Sequence, residues 1–166
     1  MVSIFGCVFG SRFGVIRETF GQISMSLVLK VKKLDPRAQL PRYALTGDAG
    51  LDIFCLDAVV IPPHERVVVH TGVAIEIPAG FVGLMWDRGG HAAKRGLTNM
   101  GGVYDSGYRG EVLPILYNTT EAPVTLETGS GVSQLLIQTV ENVEFSEVEE
   151  LSSSERGENR WSSTGV

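Results

Sequence analysis

Apolar and polar residues alternate in short stretches along most of the chain. Leu27, Leu29 and Val31 alternate with Val28, Lys30 and Lys32, and this period of two predicts a strand opening just after Met25. Residues 34–46 carry Pro36 and Pro41 and read as an extended arm or loop. Further strands are predicted over 50–55, 59–61, 66–70, 73–77, 81–86, 113–117, 124–126, 132–140 and 145–148. Pro62-Pro63 and Pro78 close two of them, and Thr71-Gly72 marks a turn between 66–70 and 73–77. One helical stretch breaks the pattern, His91-Ala-Ala-Lys94-Arg95, ended by Gly96 in the manner of a C-terminal cap. Short, closely spaced strands with many turn residues predict an all-β barrel or sandwich with one short helix.

Composition sharpens that picture. With 20 glycines and 7 prolines in 166 residues, turns are frequent, and the length suits one domain with a real core. A net charge of −5 gives nucleic-acid binding no electrostatic support. No long apolar run suits a membrane-spanning helix. Cys7 and Cys55 lack metal-type spacing and fit a reducing compartment, the cytoplasm. Residues 1–24 show neither period, nor the basic start and cleavage site of a signal peptide. They are read as an extension outside a domain of residues 25–151, with a polar tail at 152–166.

The chemistry concentrates in residues 101–111, Gly-Gly-Val-Tyr-Asp-Ser-Gly-Tyr-Arg-Gly-Glu, where four glycines flank Asp105 and Tyr108. Glycines at this density imply sharp turns or close approach of another molecule. The expected form is a β-hairpin whose bare backbone meets a flat polar ligand, with Asp105 to take a proton and Tyr108 to offer a ring. A surface Asp and a packed Tyr on an ordinary hairpin remain the plainer reading of this stretch alone.

This stretch resembles the third motif of the trimeric dUTP diphosphatases, Gly-Val-Ile-Asp-x-x-Tyr-Arg-Gly, with Tyr104 in the isoleucine place. Ala49-Gly50-Leu51-Asp52-Ile53 resembles the first motif. Arg88, Gly90, Ala92, Lys94 and Gly96 match the second, with Gly89 replacing its serine and His91 its leucine. Gly129 and Gln134 match the fourth, whose acid and base are replaced by Ser130 and Gly131. Arg156, Gly157, Ser163, Thr164 and Gly165 match the fifth, where Trp161 stands for phenylalanine, and Arg160 and Ser162 for glycines.

The resemblance implies a homotrimer of distorted, jelly-roll-like β-barrels with sites between subunits. It implies hydrolysis of dUTP to dUMP and pyrophosphate with Mg²⁺. Asp105 would activate the water. Gly101, Gly102, Val103 and Tyr108 would hold the deoxyuridine. Arg88, Gly89, Gly90, Gln134, Arg156, Trp161, Ser162, Ser163 and Thr164 would hold or cover the nucleotide, and Asp52 would reach the metal through water. His91 receives no catalytic role, and is expected to be partly buried or at a subunit contact. A slow or inactive nucleotide-binding member of the fold is the alternative. A dCTP deaminase is disfavoured, since its catalytic glutamate would fall at about Ile115.

Overall fold

The structure, a computed structural model, describes residues 27–154 and residue 157. The expected extension over 1–24 lies outside these residues.

Eleven strands and one helix follow in chain order: β1 (Lys30–Lys33), β2 (Leu51–Phe54), β3 (Val59–Ile61), β4 (Arg66–Val68), β5 (Val73–Glu76), β6 (Phe81–Asp87), α1 (Gly89–Arg95), β7 (Leu97–Met100), β8 (Val103–Tyr104), β9 (Ile115–Asn118), β10 (Val124–Leu126) and β11 (Gly131–Thr139). All pairings are antiparallel. The strands form a four-stranded sheet in the order β2-β11-β6-β8, a three-stranded sheet β4-β9-β7, and the pairs β1-β5 and β10-β3. These pieces wrap one core of Ile53, Ile61, Val69, Val73, Leu97, Val112, Leu116, Leu126, Val132 and Leu135 among others, all nearly inaccessible.

β4 and β5 fall within the expected 66–70 and 73–77, on either side of a turn at Gly72 (φ +68°), and each pairs elsewhere: β4 with β9 and β5 with β1. Two expectations need correction. Residues 145–148 form no strand, and Phe145 is 96% exposed. A strand needs a neighbouring edge for its backbone groups, and none is offered there among the described residues. The glycine-rich stretch is not a simple hairpin either. Its outer arms are β7 and β9, paired from Leu97↔Asn118 to Met100↔Ile115. Between them, β8 crosses to β6 (Gly83↔Tyr104, Leu84↔Val103), whereas the return past Glu111 joins β5 through the Ala74↔Glu111 bridge and Val112 N–H to Val73 C=O (2.8 Å).

Candidate active site

Of the clefts that carry residues singled out by the motifs, two lie on either side of β6. The first, of about 320 Å³, is lined by Ala44, Asp52, Arg88, Gly89, Gly90, His91 and Gln134. Strand β6 delivers Arg88, which sits at the N-cap of α1, and β2 delivers Asp52. Arg88 Nε and Nη2 face the two Asp52 oxygens at 3.2 and 3.4 Å, a forked pair, and Nη1 donates to the Gly131 carbonyl at 2.9 Å. Helix α1 ends as predicted, at Gly96 with φ +62°. Neither Gly89 nor Gly90 is held in a left-handed conformation, and a side-chain Cβ at either would meet nothing within 4 Å.

Gln134 has a structural task as well. Its amide donates to the Asp87 carbonyl at 2.7 Å, holding the end of β6 just before Arg88, and its side chain lies over Gly50. Any Cβ at 50 would overlap the glutamine Oε1, which explains the glycine of the first motif. Asp87 is fixed from the other side by Asn99 (backbone N–H 2.5 Å, Nδ2 2.9 Å) and the Thr98 hydroxyl (3.0 Å), and Asn99 accepts from buried Ser133 (2.7 Å). This network, which the sequence reading did not single out, ties β6, β7 and β11 together between the two clefts. Its only local signal is polar residues at strand positions that alternation turns inward.

The second cleft, of about 280 Å³, is lined by Trp86, Asp87, Thr98, Asn99, Gly101, Gly102 and Val103 among others. Gly102 (φ +105°) brings its carbonyl to Met85 N–H at 2.8 Å, and a Cβ there would sit 2.9 Å from the Met85 carbonyl oxygen. The alternation of an antiparallel ladder then leaves Val103 in a non-hydrogen-bonded position. Because β8 is the edge of its sheet, the Val103 N–H and C=O point outward. Of the expected Gly101, Gly102 and Val103, Gly102 has its carbonyl committed to β6, and Val103 carries the free edge.

Beyond this edge, Asp105 opens an exposed turn closed by its own carbonyl accepting from Tyr108 N–H (3.0 Å). The Tyr108 hydroxyl donates to the Glu111 carbonyl at 2.6 Å, and its ring meets Tyr104 edge-on at 5.6 Å. Gly110 leaves room for that hydroxyl, since a Cβ would lie 2.7 Å from it. Burial pushes the Tyr104 phenol up to about 12, so it serves as a neutral core ring. Glu111 clamps the return of the loop by accepting from Thr71 and Gly72 N–H (2.9 and 2.7 Å) and facing His70 Nδ1 (3.0 Å). Burial raises its pKa, but these contacts outweigh burial and hold it below the ordinary glutamate value.

The single chain brings Asp52, Arg88, Gly89, Gly90 and Gln134 into one cleft, and Gly101, Gly102 and Val103 into another. The cleft that holds Arg88 includes neither Asp105 nor Tyr108. Arg156, Trp161, Ser162, Ser163 and Thr164 lie outside the described residues. No trio of His, Cys, Asp or Glu side chains among the described residues is placed to hold a metal. Asp52 turns both oxygens to Arg88.

A family model named dUTPase matches residues 36–165, nearly the whole described fold and the tail beyond it. The chain belongs to the dUTPase family. It is 47% identical over 140 residues to the deoxyuridine 5'-triphosphate nucleotidohydrolase of Thermobifida fusca, covering 82% of this chain and 78% of that one. Among solved structures, a mutant dUTPase of Staphylococcus bacteriophage 80alpha with dUpNHpp aligns with a TM-score of 0.79 at 33% identity, covering 84% of this chain and 99% of that one. A mutant dUTPase of S. aureus phage phi11, described for its coordination of a structural Mg(II) ion, aligns with a TM-score of 0.69 at 30% identity, over 74% and 97% of the two chains. The first, second and fourth motifs line the Arg88 cleft and the third lines the cleft at Val103, so the motifs of one family account for both.

Proposed function

We propose that this protein hydrolyses dUTP to dUMP and pyrophosphate, in sites completed between copies of the chain. The observation that carries the reading is the bare sheet edge at Val103, next to a turn that presents Asp105 to solvent, in a chain of this family. An outward N–H and C=O match the alternating acceptors and donor of uracil. Cytosine, which has an amino group at position 4 and no N3–H, would leave those groups unpaired, a heavy penalty in a closed site. Tyr108, held by its hydroxyl, packs against the deoxyribose and leaves no room for a 2′-hydroxyl.

The triphosphate occupies the Arg88 cleft, where the guanidinium, Gly89, Gly90 and Gln134 face it. Asp105 takes the proton of a water attacking the α-phosphorus, and pyrophosphate leaves. Residues 152–166, with Arg156, Trp161, Ser162, Ser163 and Thr164, act as an arm that closes over the nucleotide and excludes water. Among the described residues no acidic cage is offered, so Asp52 would hold Mg²⁺ only indirectly, through water, and the ion would supply charge neutralisation at the phosphates.

The separation of Asp105 from Arg88 in one chain favours a homotrimer in which the two come from different copies. The domain proper is residues 25–151, preceded by the extension at 1–24, and its location is the cytoplasm. No helix among the described residues is long and apolar enough to cross a membrane. Pyrophosphate release with Mg²⁺ from dUTP, and not from dCTP, dTTP or UTP, tests the activity. Release from dCTP at a comparable rate would overturn the assignment of the base pocket. Binding of a non-hydrolysable dUTP analogue without turnover would favour the nucleotide-binding alternative.

A further inference from the structure

His91 and Gly131 both depart from the dUTPase pattern, and the structure places them against each other. Arg88 is the N-cap of α1, and His91 lies in the first turn that follows it. His91 Nε2 lies 2.7 Å from the Gly131 carbonyl oxygen, the oxygen that also accepts from Arg88 Nη1 at 2.9 Å. A carbonyl only accepts, so Nε2 carries the proton. Gly131 lies where the β11–β2 register shifts, and its carbonyl is satisfied by these two side chains. A Cβ at 131 would overlap the Arg88 guanidinium. A leucine at 91 would leave the carbonyl with one donor, and any side chain at 131 would displace the cation.

We propose that His91 is a positioning residue for Arg88. By holding the Gly131 carbonyl, it fixes one of the two anchors of the guanidinium; Asp52 is the other. Two N–H groups of Arg88 are then hydrogen-bonded within the chain, and Nε faces Asp52 at 3.2 Å. One on Nη1 and one on Nη2 are left for phosphate oxygens. The imidazole and the missing side chain at 131 thus form a matched pair, which aims a cation that would otherwise sample many rotamers.

This inference rests on the triphosphate reading of the Arg88 cleft, and its test separates the two. In the ligand-free full chain, nitrogen-detected magnetic resonance measures how freely the Arg88 guanidinium rotates about its Nε–Cζ bond. Rotation should be slow in the parent, at least several-fold faster in His91→Leu, and slow again in His91→Gln, whose amide can donate from nearly the same place. With dUTP, His91→Leu should raise KM roughly three- to ten-fold at little change in kcat, and His91→Gln should restore it, because the phosphate contact is made before and during reaction alike. Gly131→Ala, which displaces only the end of a flexible side chain, should reproduce the faster rotation without loss of fold and serves if His91→Leu fails to fold. Unchanged rotation in both His91→Leu and Gly131→Ala overturns the proposal, as does a His91→Gln variant no better than leucine. A parent that leaves dUTP intact refutes the dUTP reading alone, and the rotation measurement still decides the role of His91.

Discussion

Replacing Gly89 by serine should speed the reaction. In the dUTPase pattern a serine stands here, and its hydroxyl would donate to the oxygen on which charge builds as pyrophosphate leaves. The structure removes the steric objection: Gly89 does not occupy the left-handed region, and a Cβ there meets nothing within 4 Å. A hydrogen bond to a charged group contributes about 1.5–3 kcal/mol. At about 1.4 kcal/mol per decade, this corresponds to a rise in kcat of roughly 10- to 150-fold. Serine also loses less backbone entropy than glycine on entering α1, a gain of about 0.5 kcal/mol, which should lift Tm by on the order of 1–3 °C. Steady-state pyrophosphate release under saturating dUTP and Mg²⁺ measures the first effect, and a thermal melt the second. Because the charge develops only in the transition state, kcat should rise more than KM falls. A raised Tm with unchanged kcat would refute the reasoning, since it would show that the fold accepts the hydroxyl while the chemistry does not use it.

Asp105→Asn should abolish turnover while a non-hydrolysable dUTP analogue binds almost as before, because the amide keeps the shape of an exposed turn and cannot take the proton; calorimetry beside a rate assay checks both. Gly102→Ala should destabilise the fold by about 1–3 kcal/mol, from its φ of +105° and the Met85 carbonyl 2.9 Å away, and should be seen in denaturant melts. Removing everything after Leu151 should leave a folded, associated protein with sharply reduced turnover, measured by chromatography and rate; loss of association would show that the tail is part of the scaffold. Glu111 is ionised more readily in the folded chain than unfolded, so its clamp contributes stability above the ordinary glutamate value of 4.5, which is lost as pH falls through the lower folded value. Glu111→Gln should therefore flatten the acid limb of a Tm-against-pH curve and leave the neutral region parallel to the parent.

Much of the fold was legible because local rules govern it. Alternation marked β2, β3, β10 and β11 to within a residue or two, and Gly96 marked the end of α1. The motifs around Asp52, Arg88, Asp105 and Gln134 were legible as strings of residue types. The missed elements depend on partners distant in the chain. β7 lacks clear alternation, and it is a strand because β9 lies beside it. Residues 145–148 have the right residue types and form no strand, having no edge to join.

The sequence by itself determined which residue types are available: an acid in a glycine-rich turn, an arginine at the start of a short helix, and a high density of glycines. Tertiary structure alone decided what each of them faces. It split the glycine-rich stretch between β6 and β5, and so left the Val103 backbone, rather than that of Gly102, at a free edge. It set Gln134 against Gly50 and Asp87, and His91 against Gly131, residues separated by 40 positions or more. The physical reason is that periodicity encodes which way a side chain points relative to its own backbone. Register, and with it the identity of the neighbour, is set by hydrogen bonding and close packing among strands that meet only once the chain has folded.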